Sequence, residues 1–167
     1  MKLSGAGIIW ICMTITGLRM WEFLKKRVRL FEETEGFVEM LKIEQRYSAD
    51  ELMSILKKTS FLSSCKGLDF LSLCCKKLES GEDFPSAWKN ALRESRKPFT
   101  AYERNKLSSL GEILGTTDID SQIIMLNLYS QYIKAFLKMA EKAEKSYGRL
   151  SVAASFLMGF TVFILVV

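Results

Sequence analysis

The sequence predicts an all-α protein, an antiparallel six-helix bundle flanked by two transmembrane helices. Uncharged and strongly apolar residues fill two end segments, Leu3–Leu18 and Leu150–Val167. Of the 24 Lys and Arg residues only Lys2 lies outside 19–149, and all 19 acidic residues lie within that range. The middle therefore holds 23 cationic and 19 acidic groups, a net charge of +4. Its apolar residues recur with helical spacing and show no strand alternation.

On this basis the chain divides into an N-terminal transmembrane segment at residues 1–21, a cytoplasmic helical bundle at 22–149 and a C-terminal transmembrane segment at 150–167. A helix needs ~17–25 mostly apolar residues to cross a bilayer. The last segment supplies 18 uncharged residues. The first reaches a sufficient length through Met20 and Trp21 if Arg19 extends its charge to the interface. Small residues at 5–7 and 153–154 permit close contact between spans.

The end segments have two alternative interpretations, and both stay open. The first segment has the length of a cleaved signal peptide, but Trp21 and Glu22 follow it without a small-residue cleavage site. Both segments are also long enough to be buried core helices, but residues 150–167 have no polar face.

Cationic residues cluster beside both apolar segments, on their inner sides. The clusters are Arg19, Lys25, Lys26, Arg27 and Arg29 after the first segment, and Lys134, Lys138, Lys142, Lys145 and Arg149 before the second. Lys and Arg are enriched on the cytoplasmic flanks of membrane spans. We therefore expect the bundle to be cytoplasmic and both termini to lie across the membrane.

The first helix of the bundle is expected to continue from the first span to about Tyr47. Its apolar residues form a heptad-spaced ridge suited to packing along another helix: Phe23, Leu30 and Phe37, and Leu24, Phe31 and Val38. Ser48–Glu51 has the pattern of a capping box that opens a second helix through about Thr59. A third helix runs from about Leu68 to Glu79, ended by Gly81.

Turn and capping residues predict where the next two helices begin and end. Phe84 and Pro85 begin the fourth, since proline suits a first helical turn, and Pro98 stops it. Thr100–Glu103 is a second capping-box pattern. It opens a fifth helix that ends near Gly115.

The sixth helix is expected to begin at Asp118 or Asp120, because acidic residues suit a helix N-terminus. Gly148 is the one later stop signal in the sequence. The helix is therefore expected to run into the second span, as far as Val167.

A basic face is the most distinctive feature of this sixth helix. Its members fall within about 80° of arc at helical spacing: Lys134, Lys138, Lys142, Lys145 and Arg149. Three interpretations stay open. The face is solvated, with Lys145 paired to Glu141; or it contacts anionic lipid headgroups near Arg149; or it is a docking strip for an acidic partner.

The sequence contains little catalytic or metal-binding chemistry. There is no histidine, the commonest general base. No P-loop, G-x-S-x-G or H-E-x-x-H motif occurs. Cys74 and Cys75 are neighbours, a spacing that favours buried apolar residues over a zinc site with Cys65. We therefore expect no catalytic site, cofactor or metal. The sequence pI of about 9.0 is mostly explained by the membrane-flanking cations, so we expect no nucleic-acid partner.

Three motifs carry a family resemblance. Leu110–Gly115 with Asp118 and Ser121-Gln122 gives L-G-x-x-L-G-x-x-D-x-x-S-Q, and the others are E-x-x-Y at 44–47 and A-W-x-x-x-L at 87–92. The chain resembles the stage III sporulation protein AB family of endospore-forming bacteria. That family is similar to the cytoplasmic domain of the inner-membrane platform proteins of type II secretion and type IV pilus machines. A proline-leucine pair that often follows the tyrosine is missing here, and residues 59–82 give no specific match.

The resemblance implies a non-enzymatic platform in a channel between mother cell and forespore, in the mother-cell membrane that surrounds the forespore during engulfment. Its expected partners are the stage III sporulation AA-type ATPase and other proteins of the stage III sporulation A operon. We expect a partner surface at Gly111, Glu112, Gly115, Asp118 and Gln122, although helix packing with Asp118 as a cap explains these residues too. Which surface faces the ATPase stays open. The alternative function is a general membrane-anchored helical adaptor or a self-associating scaffold.

Overall fold

The computed structural model describes residues 2–47, 54–57, 67–116 and 119–166, with side chains at 7–44, 54–57, 67–114, 121–162 and 164. Every regular element in these ranges is helical. In chain order they are α1 (Lys2–Tyr47), α2 (Asp69–Glu79), α3 (Phe84–Glu94), α4 (Ala101–Thr116), α5 (Ile119–Ala143), a π-helical turn (Glu144–Gly148) and α6 (Arg149–Val166). Residues 54–57 are also helical. The all-α class is confirmed.

Local sequence signals place most of these boundaries. The backbone from 119 to 166 stays helical, and it widens to π geometry at the one predicted stop signal, Gly148. The predicted second helix lies mostly outside the described residues, together with its capping box at 48–51. Of the two predicted caps of the sixth helix, Asp118 lies outside the described residues, and the side chain of Asp120 is not described either.

The chain divides into two compact units. Met1–Arg29 and Leu137–Val167 form one, here named the terminal unit, and Leu30–Phe136 form the other, named the central unit. Helices α1 and α5 each contribute to both. This division follows packing, whereas the predicted boundaries at 21/22 and 149/150 follow membrane position and stay predictions.

Trp88 lies at the centre of the core of the central unit. Its side chain is fully buried, and the rings of Phe37, Phe70 and Phe84 have centroids 6.0, 5.3 and 5.8 Å from its own. Phe37 lies on α1, Phe70 on α2 and Phe84 on α3. An aromatic pair adds about 0.5–1.5 kcal/mol beyond the area it buries. One indole therefore helps to hold three helices together.

The ridge predicted on α1 is buried through most of its length. Within the central unit its buried members are Leu30, Phe31, Phe37 and Val38. Phe31 contacts Phe99 and Phe136 with centroid distances of 6.1 and 5.8 Å. Leu24 is buried in the terminal unit, but Phe23 is 43% exposed. The prediction is wrong for Phe23, because the heptad spacing continues past the point where α1 meets the core.

Hydrogen bonds confirm the second capping box. The Thr100 amide donates to Glu103 Oε2 at 2.7 Å, and the Glu103 amide donates to Thr100 Oγ1 at 3.3 Å. At the start of α3 the Asp83 carboxylate accepts from the Ser86 amide at 3.1 Å, a cap that the sequence analysis missed. Gly81 follows α2 at a φ of +91°, which favours glycine.

Side chains also fix the segment between α3 and α4. Asp69, in the first turn of α2, accepts from Ser95 Oγ at 2.6 Å and from the Arg96 amide at 3.2 Å. Arg104 Nη1 donates to the carbonyls of Leu92 and Arg93 at 2.7 and 2.9 Å. These bonds satisfy groups at the end of α3, which otherwise lack intrahelical partners.

The terminal unit is built on contacts between tryptophan and glycine. A Cβ on Gly159 would lie 2.6 Å from Trp10 Cδ1, and one on Gly148 would lie 2.6 Å from Trp21 Cδ1. Between them, a Cβ on Gly17 would lie 2.9 Å from the carbonyl oxygen of Ser151. The order of these contacts makes α1 and α6 antiparallel. Glycine is required at all three positions because the helices approach so closely.

The small residues at 5–7 and 153–154, which were expected to permit contact between spans, do not form the contacts between α1 and α6 where the structure describes them. A Cβ on Gly7 would have nothing within 4 Å, and Ala153 and Ala154 are exposed. The contacts use tryptophans and glycines that are each eleven residues apart, 10 and 21 against 148 and 159. That shared spacing is visible in the sequence and is the signal that would have found them.

One helix in the described part of the chain is long and apolar enough to cross a membrane, Gly7–Glu44 within α1. Its second half carries Glu32, Glu33, Glu35 and Glu39 and packs in the central unit. The stretch suited to a bilayer is therefore its first half. Only 11% of the most apolar window is buried, which disfavours a core helix of a soluble protein.

Candidate partner surface and basic face

Gly111 of the predicted partner surface lies beneath Trp88. A Cβ at this position would overlap Cδ1 and Cγ of the indole and would lie 2.9 Å from Trp88 Cβ. The missing side chain lets Trp88 Nε1 donate to the Leu107 carbonyl, one turn earlier in α4, at 2.7 Å. Gly111 is thus a packing position that joins α3 to α4.

Gln122 also has a contact inside the protein. Its Nε2 donates to the Leu114 carbonyl at 3.2 Å, so it satisfies an acceptor near the end of α4. Gly115 lies in the last turn of α4, and Asp118 lies outside the described residues. Glu112 is exposed. The structure brings Gly111 and Gln122 into the packing of α4 and leaves Glu112 on the surface.

An exposed apolar strip lies on α5, beginning two residues after Gln122. Its members are Ile124, Met125 and Leu128, which are 66%, 38% and 42% exposed. On the opposite side of α5, Leu126 is fully buried and Ile133 nearly so. The sequence does not reveal the strip, because apolar residues at i and i+4 have the same pattern whether they form a core face or an exposed face.

The α4–α5 surface continues with aromatic and cationic side chains. Lys106 Nζ lies 4.8 Å from the ring centroid of Tyr132 and 5.8 Å from that of Tyr102. Tyr102 also meets Phe136 edge to face at 5.9 Å. Tyrosine and exposed apolar side chains are typical of protein interfaces.

The structure places Lys134 apart from the rest of the predicted basic face. Its Nζ lies 3.7 Å from Glu35 Oε1 and 3.6 Å from Glu39 Oε1. Glu39 also accepts from Ser130 Oγ at 2.7 Å and from Lys42. These bonds join α5 to α1 within the central unit.

The other members of the basic face are exposed and belong to the terminal unit: Lys138, Lys142, Lys145 and Arg149. Within the described residues there is no ion pair between Glu141 and Lys145. An open depression of about 460 Å³ is lined by Lys138, Glu141, Lys142, Lys145 and Ser146. Glu144 is engaged elsewhere, as the acceptor of a 2.8 Å hydrogen bond from Trp21 Nε1.

The cysteines of α2 are packing residues. Cys74 and Cys75 are buried, and burial, with smaller contributions from Cys75 and Glu82, raises the pKa of the Cys74 thiol to about 12. A thiol that stays protonated is a poor nucleophile and metal ligand. In the described ranges no three potential ligands cluster around a metal position, and Cys65 lies outside them.

A family model described as stage III sporulation protein AB matches residues 2–167 of the chain. The match therefore covers both units and every surface described above. The comparisons with curated proteins and with solved structures find no match.

Replacing Gly111 with alanine tests the packing beneath Trp88. Alanine favours a helix, but here its methyl group must displace the indole, so we expect Gly111→Ala to cost about 1–3 kcal/mol of stability. The matched control is Gly36→Ala in α1, where a Cβ meets nothing within 4 Å and the gain is up to about 1 kcal/mol. Urea unfolding of the full chain in non-ionic detergent measures both. Equal stability of the two variants would contradict the packing.

Proposed function

Because the chain belongs to the stage III sporulation protein AB family, we propose that it is a non-enzymatic platform in the membrane. In this proposal it serves a secretion-like channel between mother cell and forespore. Its central unit couples the cytoplasmic AA-type ATPase to membrane components, among them other proteins of the stage III sporulation A operon. The family supplies the sporulation role, and structural features of the two units support the coupling.

In this proposal the first half of α1 and all of α6 cross the mother-cell membrane around the forespore. The support from α1 is its apolar, little-buried window. The support from α6 is its 18-residue length and its outward-facing apolar residues, among them Leu157, Met158 and Ile164. Both helices are flanked by cations on the side of the central unit, which favours a cytoplasmic position for that unit.

The observation that carries the coupling is that both connections between the units are helical. Helix α1 passes from one unit to the other at residues 29–30 and α5 at 136–137, without an interruption. In the central unit the two helices are tied by Glu39, Ser130 and Lys134. In the terminal unit α1 is tied to the π-helical turn by Trp21 and Glu144. Hydrogen-bonded helices transmit displacement better than flexible loops.

The proposed ATPase-binding surface consists of the strip of Ile124, Met125 and Leu128 on α5 together with exposed Glu112 of α4. A patch of exposed apolar side chains is typical of an interaction site. Gly111 and Gln122 contribute indirectly, since Gly111 joins α4 to α3 and Gln122 ties α5 to the end of α4. The proposed surface thus keeps Glu112 from the predicted partner surface and adds the exposed strip on α5.

Paired charge substitutions test this surface. We expect Ile124→Asp with Leu128→Asp to reduce recovery of the AA-type ATPase about tenfold or more, because a central apolar interface contact is worth about 2 kcal/mol or more. Copurification from cells that express both proteins measures the recovery. The matched control is Ile43→Asp, since Ile43 is 59% exposed on α1 of the same unit.

The control should retain the ATPase, and both variants should retain helical circular dichroism. Unchanged recovery with the double variant would contradict the surface, as would equal loss with Ile43→Asp. If the wild-type chain recovers no ATPase but self-associates through the strip in size-exclusion chromatography, the scaffold function replaces the platform.

A further inference from the structure

Charge is segregated between the two units. The terminal unit contains ten cationic and three acidic residues, a net charge of +7, whereas the central unit contains 14 and 16, a net charge of −2. The acidic residues of the terminal unit are Glu22, Glu141 and Glu144. The Glu144 carboxylate accepts a hydrogen bond from Trp21 Nε1. The terminal unit thus presents a strongly cationic surface with two other carboxylates to offset it.

The densest part of that surface is a lysine cluster on α5 and the π-helical turn. Lys138, Lys142 and Lys145 are exposed and follow the i, i+4, i+7 spacing of one helix face. With Ser146 they line the 460 Å³ depression, where Glu141 is the one acidic residue. Three ammonium groups and a hydroxyl around one depression match the chemistry of a phosphate group.

The cluster lies close to the residues that would mark a membrane surface. Tyr147 is 61% exposed, Trp21 packs on Gly148, and both residue types concentrate at membrane interfaces. At 1.5 Å per residue, Lys145 is about 8 Å along the helix from Leu150, where the apolar run begins, and Lys138 about 18 Å. Long lysine side chains at these depths reach or approach the headgroup layer.

We propose that the cluster of Lys138, Lys142 and Lys145 binds the headgroup phosphate of an anionic phospholipid. This rests on the proposed insertion of the end helices into a membrane. The ion pairs of Lys134 with Glu35 and Glu39 exclude that residue from the site. The bound lipid would hold the start of α6 at a fixed depth, next to the contact between Trp21 and Gly148.

Native mass spectrometry of the full chain in mild non-ionic detergent tests the site. The probes are phosphatidylglycerol and phosphatidylcholine with the same acyl chains. A lysine near an anionic surface strengthens binding about fivefold, so we expect a clear preference of the wild type for phosphatidylglycerol. The triple variant Lys138→Gln, Lys142→Gln, Lys145→Gln should lose at least about tenfold of that preference.

The matched control removes three exposed cations from the central unit: Lys76→Gln, Lys89→Gln and Arg93→Gln. It should keep the full preference. Equal loss in the control, or no loss in the triple variant, would overturn the site. Displacement of the lipid by millimolar glycerol phosphate or by an acidic peptide would also overturn it, in favour of a soluble ligand. Alkaline carbonate extraction of cell membranes reports separately on anchoring, so failure of the proposed insertion is distinguishable from failure of the lipid site.

Discussion

The fit of Trp88 against Gly111 is the interaction on which the central unit depends. The indole contacts phenylalanines of α1, α2 and α3, and its one polar atom is satisfied by a carbonyl of α4. A buried indole N–H without an acceptor would cost about 1–3 kcal/mol. The glycine lets the ring approach close enough to reach that acceptor. Four helices are thereby fixed around one side chain, and α4 is held so that Glu112 faces solvent.

The terminal unit uses the same pair of residue types for a different purpose. Trp10 and Trp21 pack against Gly159 and Gly148, and the hydroxyl of Ser151 in α6 donates to the Gly17 carbonyl of α1 at 3.4 Å. Close packing and hydrogen bonds can hold helices together in lipid, where the hydrophobic effect between them is weak. The net charge is +7 in the terminal unit and −2 in the central unit, and cationic flanks are what the proposed membrane position of the terminal unit requires.

Local signals predicted much of the fold. The capping box at Thr100, the glycine after α2 and the proline after α3 act within a few residues, so the sequence shows them directly. Contacts between residues that are far apart in the chain cannot be read from local spacing. Lys134 has the same spacing as Lys138, but Glu35 and Glu39 of α1 bind it. At the candidate surface, the division between buried Gly111 and exposed Glu112 depends on the position of Trp88, which the sequence does not show.

The most direct test is to measure on which side of the membrane the central unit lies. A cytoplasmic ATPase can bind the central unit only if that unit is in the cytoplasm. Ser72 is exposed on α2, and Cys74 and Cys75 are buried. A chain with Ser72→Cys, Cys12→Ser and Cys65→Ser would be labelled in vegetative cells with a membrane-impermeant maleimide, beside the same chain without the new cysteine. The account predicts labelling at position 72 only after the cells are permeabilised. Labelling in intact cells would place the central unit outside the cytoplasm and contradict the account.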